Sequence, residues 1–224
     1  KFAGSYIDNI IDYIMEVVEV HPNVNISVGV DSVQKRKRTV YAMTIMFYDE
    51  VLKNGAHVVF FRESVPKIFD SFTRLYREAE WGLHIAEFLH DNLKKRGYVR
   101  NITDFELKKY KFIQEVESGL HKHVKLHDQI KFIDRIELSD IDRAKEYKLV
   151  DIHLDFNYKK YSYGRKINKS FKAYEAAAPW LRGQGYITYV KPNSPAGTSA
   201  AVAAAAADAA AARPPPPPPP PPPL

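Results

Sequence analysis

Apolar residues recur at helical spacing over residues 5–20, where Ile7, Ile10, Ile11, Ile14, Val17 and Val18 share one face. Ser5, with Asp8 three positions on, has the form of a capping box that would open this helix. His21-Pro22 closes it, because the residue before a proline avoids helical backbone. The pattern then changes. Residues 25–31 read as a strand that ends in a carboxylate, and residues 32–38 as a basic turn. Residues 39–49 form a second strand rich in β-branched and aromatic side chains. Leu52-Lys53-Asn54-Gly55 supplies hairpin chemistry, since Asn-Gly tolerates the positive φ of a tight turn, and residues 56–65 make a third strand. The chain therefore opens its sheet with three consecutive antiparallel strands.

A long helical stretch follows at 67–95, with Leu75, Ala79, Gly82, Leu83, Ala86, Leu89 and Leu93 on one stripe. Residues 97–147 are charged and read as an insertion. Ile113, Val116, Leu120 and Val124 suggest a helix there, and Ile130, Phe132, Ile133, Ile136 and Leu138 could be strand. Ser139 with Asp142 caps a short helix to Lys148. A strand at 149–156, a helix at 170–182, the stop signal Gly183 to Gly185 and a last strand at 186–191 complete the order. Hairpin strands followed by β-α-β argue an α/β fold: a mixed sheet with helices on its faces.

From Ala196 the sequence is almost only alanine, then ten prolines, Pro214 to Pro223. Such a segment cannot bury a varied core, and the proline run should be an extended polyproline rod. It reads either as a low-complexity tail, 196–224, or as stand-ins for unassigned residues. The formal net charge is +6, carried by the remainder, because the tail holds only Asp208 and Arg213. A basic excess suits an anionic partner such as nucleic acid. There is no cysteine, which excludes disulfides and thiolate metal sites. With no run of about 18 apolar residues and no secretory signal, a cytoplasmic protein that does not cross a membrane is expected.

Two strands end in acids, Asp31 and Asp155. One such residue is as readily a cap for the following turn. Two of them at strand ends, with an acidic helix at hand, can hold a hard divalent cation through oxygen. Among the helix acids Glu78, Glu80 and Glu87, only Glu78 falls on the margin of the apolar stripe, about 60° from Leu75, where it can lean toward the sheet. Its plain alternative is a salt bridge with Arg74 or Arg77.

Gly29-Val30-Asp31-Ser32, Arg74-Leu75-x-x-Glu78, Ile152-His153-Leu154-Asp155 and Lys191-Pro192-Asn193-Ser194 occur in that order. Together they resemble a small family of bacterial and phage predicted nucleases, assigned to the ribonuclease H-like superfamily and long filed as a domain of unknown function. The resemblance covers about 25–95 and 149–199 and leaves out the insertion. It implies a ribonuclease H-like domain over 23–195, after an N-terminal helix at 1–22 and with its insertion at about 97–147. The implied sheet has five strands in the order 3-2-1-4-5. It also implies that Asp31, Glu78 and Asp155 are the catalytic ligands of two Mg²⁺ or Mn²⁺ ions. Two such ions activate water and stabilise the leaving oxygen of a phosphodiester.

The chain departs from the family at its end. The family ends in Lys-Pro-Asp/Glu-Ser and then a helix closing on an aspartate, a fourth ligand. Here Asn193 replaces the acid, the family spacing lands on Val202, and the nearest aspartate is Asp208. Asp208 is the fourth-ligand candidate.

Basic residues frame this arrangement. Lys35, Arg36, Lys37 and Arg38 follow Asp31, and Lys159, Lys160, Arg165, Lys166 and Lys169 follow Asp155, interleaved with Tyr158, Tyr161 and Tyr163. Such residues can grip phosphates and stack bases; the bland reading of the first run is a solvated turn. His121, His123 and His127 would share a face only on a strand, so a zinc site there depends on that assignment. His153 shares a strand face with Asp151 and Asp155 and is either a proton-transfer aid or a core residue.

The expected function is metal-dependent hydrolysis of RNA, DNA or their hybrid. The alternatives are a nucleic-acid-binding domain with an incomplete ligand set, and a scaffold role carried by the insertion.

Overall fold

The computed structural model describes residues 6–48, 56–121, 129–161 and 167–191. Helix α1 runs Ile10–Val20 and starts five residues after the predicted Ser5 cap site. Asn9 caps it instead, its Oδ1 accepting from the backbone N–H of Ile11 at 3.0 Å and Asp12 at 3.3 Å. Strand β1 (Asn25–Gln34) pairs antiparallel with β2 (Arg38–Tyr48), which pairs antiparallel with β3 (Ala56–Pro66). β1 is longer than predicted. Ser32, Val33 and Gln34 continue the ladder, and only Lys35, Arg36 and Lys37 make the turn, closed by a 2.8 Å bond from Lys35 N to Arg38 O. The expected Asn54-Gly55 turn lies outside the described residues.

Helix α2 (Ser71–Lys95) starts later than predicted because Asp70 caps it, accepting from Thr73 N at 2.6 Å. Every residue of its predicted stripe is buried. Three helices follow among the described residues before β4: α3 (Asp104–Glu117), α4 (Gln129–Asp134) and α5 (Asp140–Ala144). Ser139 and Asp142 form the predicted capping box. The strand alternative for 129–138 does not hold: residues 129–134 are helical, and Ile133 and Leu138 supply the buried apolar contacts. β4 (Asp151–Asn157), α6 (Phe171–Gly183) and β5 (Thr188–Lys191) end the described chain.

The sheet order is β3-β2-β1-β4-β5. β4 runs parallel to both β1 and β5, so the sheet is mixed, as predicted. One face carries Ile26, Val28 and Val30 of β1, Met43, Ile45 and Phe47 of β2, and Ile152 and Leu154 of β4. These pack with α1, α2 and α6 in one buried cluster. The other face carries Ser27, Gly29 and Asp31, with Asp151, His153 and Asp155 beside them. The segment that carries α3 is tied to this side by side chains. Asn25 donates to Glu106 at 2.8 Å, and the Tyr110 hydroxyl accepts from Thr188 N at 3.2 Å. Arg100 grips Asp151 through both carboxylate oxygens.

Close approach of α2 to the sheet runs over Gly82. A methyl added there would meet Ile152 Cγ2 at 3.4 Å and Val30 Cγ2 at 3.9 Å, which is contact without collision. Glycine inside a helix costs about 0.5–1 kcal/mol relative to alanine. Gly82→Ala should therefore raise stability by up to that amount, read as a higher urea midpoint with an unchanged slope. A lower midpoint would show that the 3.4 Å gap is already fully used.

Candidate acidic site

Parallel neighbours end at the same edge of a sheet, and this brings the two strand acids together. Ser27 pairs with Asp151, Gly29 with His153 and Val30 with Leu154. The next positions are Asp31 and Asp155, which alternation places on the same face at the carboxyl ends of the two strands. Asp155 also lies in an irregularity. The ladder to β5 steps from Leu154 opposite Val190 to Asn157 opposite Lys191. Such bulges re-aim side chains.

The two acids feel each other. Burial pushes the Asp31 carboxyl above its ordinary value, and the Asp155 charge pushes it further. A backbone hydrogen bond from Ser32, and the charges of Arg74 and Lys191, oppose that rise. Lys191 Nζ lies 2.7 Å from Asp155 Oδ1.

Glu78 arrives from α2, on the opposite face, and is fully buried. Ser32 Oγ donates to Glu78 Oε1 at 2.5 Å. Arg74, one helical turn earlier, donates to the same oxygen at 3.2 Å, to Ser32 O at 3.1 Å and to Ser32 Oγ. Both sequence readings of Glu78 therefore apply at once: it leans to the sheet end, and it pairs with Arg74. Burial raises its pKa well above the ordinary carboxylate range, and the Asp31 and Asp155 charges add to this against the Ser32 bond and Arg74. Glu78 Oε2 is buried with no hydrogen-bond partner among the described residues.

Three carboxylates in electrostatic contact, two of them pushed toward protonation, form an oxygen-only set short of positive charge. In donor chemistry they fit Mg²⁺ or Mn²⁺. In placement they divide: Asp31 and Asp155 follow the paired Val30 and Leu154 on adjacent strands, and Glu78 is turned toward Ser32 and Arg74. Among the described residues no group of three His, Asp or Glu side chains is gathered to hold a metal ion.

The basic residues that are described collect at the same end. Lys35, Arg36 and Lys37 form the hairpin tip beyond Asp31, with Arg38 opening β2. Lys159 and Lys160 follow β4, and each ammonium lies 5.7 Å from the ring centroid of Tyr158 and Tyr161 respectively. Lys169 precedes α6 and is exposed. Arg165, Lys166, Asn193 and Asp208 lie outside the described residues, as do His123 and His127. His121 bonds Glu115 at 2.8 Å and stacks on Phe112 at the end of α3.

His153 is a core residue. It is buried with its ring 4.9 Å from that of Tyr189. Burial lowers its pKa to about 3, with the charges of Lys109 and Arg100 adding to the fall. An unfolded histidine near 6.5 takes a proton that the folded one refuses, so stability is lost as pH falls from about 6.5 toward 3. By pH 5 this costs about 2 kcal/mol. His153→Gln should remove that share of the acid destabilisation in urea titrations at pH 7 and pH 5. An unchanged pH dependence would show that His153 is not its source.

Sequence reasoning did not foresee the contact of Lys191 with Asp155 or that of Arg100 with Asp151. The first was open to inference, since Lys191 closes the strand beside the one that ends at Asp155. The second joins a loop residue to a strand start and has no local signature.

A family model described as Ribonuclease H-like matches residues 6–205. No curated protein and no solved structure matches the chain.

Proposed function

The chain belongs to the ribonuclease H-like family, and from that premise we propose that it is a metal-dependent nuclease hydrolysing phosphodiester bonds of RNA or DNA. The observation that supports this most is the parallel register of β1 and β4, in which Val30 pairs with Leu154 and the next residues along the two strands are Asp31 and Asp155. Asp31 and Asp155 are the principal ligands, and Glu78 is the third once its free oxygen turns toward them. Asp208 is retained only as a candidate fourth ligand. When bound, two Mg²⁺ or Mn²⁺ ions would supply an activated water and charge neutralisation at the phosphoryl group. The chain's own residues do the rest. Ser32 and Arg74 hold Glu78 against the strand, and the three acids fix where cations can sit. Lys35, Arg36, Lys37 and Arg38 on one side, with Lys159, Lys160 and Lys169 on the other, take the phosphate backbone, and Arg165 and Lys166 are further candidates from the sequence.

A second reading has its own observation. Glu78 is engaged by Arg74 and Ser32 and is not gathered with the other acids, which favours a nucleic-acid-binding domain of the same fold with an incomplete ligand set. Labelled RNA, DNA and RNA–DNA hybrid, incubated with Mn²⁺ or with EDTA, separate the two. Cleavage that needs Mn²⁺ and vanishes in Asp31→Asn supports the nuclease. Binding without cleavage, unaffected by Asp31→Asn, supports the second reading.

A further inference from the structure

Two cations already stand at the acids, and they are held in different ways. Arg74 is locked. Its guanidinium makes three contacts, to both oxygens of Ser32 and to Glu78, and it lies one turn from Glu78 on the same rigid helix. Lys191 approaches Asp155 at 2.7 Å through a single ammonium–carboxylate contact. That contact is close but poorly directed, since Asp155 Oδ1 has no aligned hydrogen bond among the described residues. The lysine side chain is 48% exposed, whereas that of Asp155 is 16% exposed. The ammonium can return to water readily; the carboxylate cannot.

The consequence follows from charge. An ion pair with so exposed a partner is worth no more than about fivefold in an equilibrium constant. Without Lys191, Asp155 faces the half-buried Asp31 carboxyl with no ion-pair partner among the described residues. A divalent ion at that spot meets two carboxylates with twice the charge of an ammonium, so the exchange runs toward the metal. The lysine stem is flexible and its ammonium compact and strongly hydrated. The displaced group stays at the sheet end, where the hairpin tip and the Lys159-Lys160 segment also lie.

We propose that Lys191 is an exchangeable resident cation: its ammonium occupies Asp155 until a divalent ion takes that carboxylate, and the displaced ammonium then binds a phosphate oxygen of the nucleic acid. This rests on the reading of Asp31 and Asp155 as a divalent-ion site. It gives metal and nucleic acid a shared coupling residue. It also lets the fold form without metal, because the acid pair carries its own counter-ion.

The test uses the full chain with Lys191→Met, and Lys191→Gln as a second, polar truncation. Mn²⁺ is titrated at fixed ionic strength, and free Mn²⁺ is read by electron paramagnetic resonance. Both variants should bind Mn²⁺ about fivefold more tightly than the unaltered protein. A fluorescein-labelled RNA–DNA hybrid is then followed by anisotropy. In EDTA the variants should match the unaltered protein. In Ca²⁺ they should bind more weakly, with a salt slope smaller by about one. Equal or weaker Mn²⁺ binding by the variants overturns the exchange while leaving the metal site standing. Hybrid binding that weakens equally in EDTA and in Ca²⁺ also overturns it, by making Lys191 a permanent phosphate contact. Mn²⁺ bound by none of the proteins removes the metal site itself, and the inference with it.

Discussion

Asp31→Asn is expected to abolish Mn²⁺-dependent cleavage, by on the order of a thousandfold, and at the same time to raise the thermal midpoint by a few degrees. The two effects have one cause. Asp31 sits in a place where burial and the neighbouring Asp155 charge disfavour its ionised form. An amide of the same shape relieves the cost and removes the ligand. Stability and activity trade against each other at such positions. The pH dependence gives an internal check. The folded carboxyl has the higher pKa, so its ionisation weakens the fold as pH rises from the ordinary value of 3.8 through the raised one. The stability difference between variant and unaltered protein should therefore be small in acid and level off once Asp31 is fully ionised. A variant that loses activity and stability together would mean that Asp31 is a structural anchor.

The second large effect lies at the other end of β4. Arg100 meets Asp151 Oδ1 at 2.5 Å and Oδ2 at 3.0 Å, with side chains 6% and 5% exposed. Breaking a buried pair by removing one partner typically costs 3–5 kcal/mol, because the remaining charge is stranded away from water. Arg100→Met should lower stability by about that amount, read from urea midpoints. Arg100→Met with Asp151→Leu should recover most of it, since no charge is left buried. The pair sits at the start of β4 and the acids near its end, so cleavage per folded molecule should be unchanged in the double variant. A double variant no more stable than the single one would show that the pair fixes the loop by geometry rather than by charge.

The sheet was legible in the sequence because its strands announce themselves locally. β-branched runs, the alternation of β1 and β2, and the strict stripe of α2 each follow from one element's own burial. That two strands end in acids was legible in the residues, and that the strands are adjacent came from the strand order the family resemblance implied. What escaped was decided between elements. Ser32, Val33 and Gln34 looked like part of a basic turn, yet they pair across to Tyr41, Val40 and Thr39, so the hairpin partner extended β1. Residues 129–138 alternate like a strand but do not join the five-stranded sheet, and the first of them pack on α3 as a helix. Thr103 and Glu106 form a full capping box whose signature stood in the sequence unremarked. Glu78 was placed on the right margin of its helix, but its engagement by Ser32 depends on where the end of β1 falls, which no single-helix projection contains.

The parallel pairing of β1 with β4 also governs when the site comes into being. Hairpins such as β1-β2-β3 close over short stretches of chain, whereas Val30 meets Leu154 only after a loop of more than a hundred residues has been drawn in. Non-local contacts of that kind form late, since loop closure must precede the reward. Asp31 and Asp155 are thus strangers until folding is nearly complete. A divalent ion held by both would slow unfolding and leave the folding rate almost untouched.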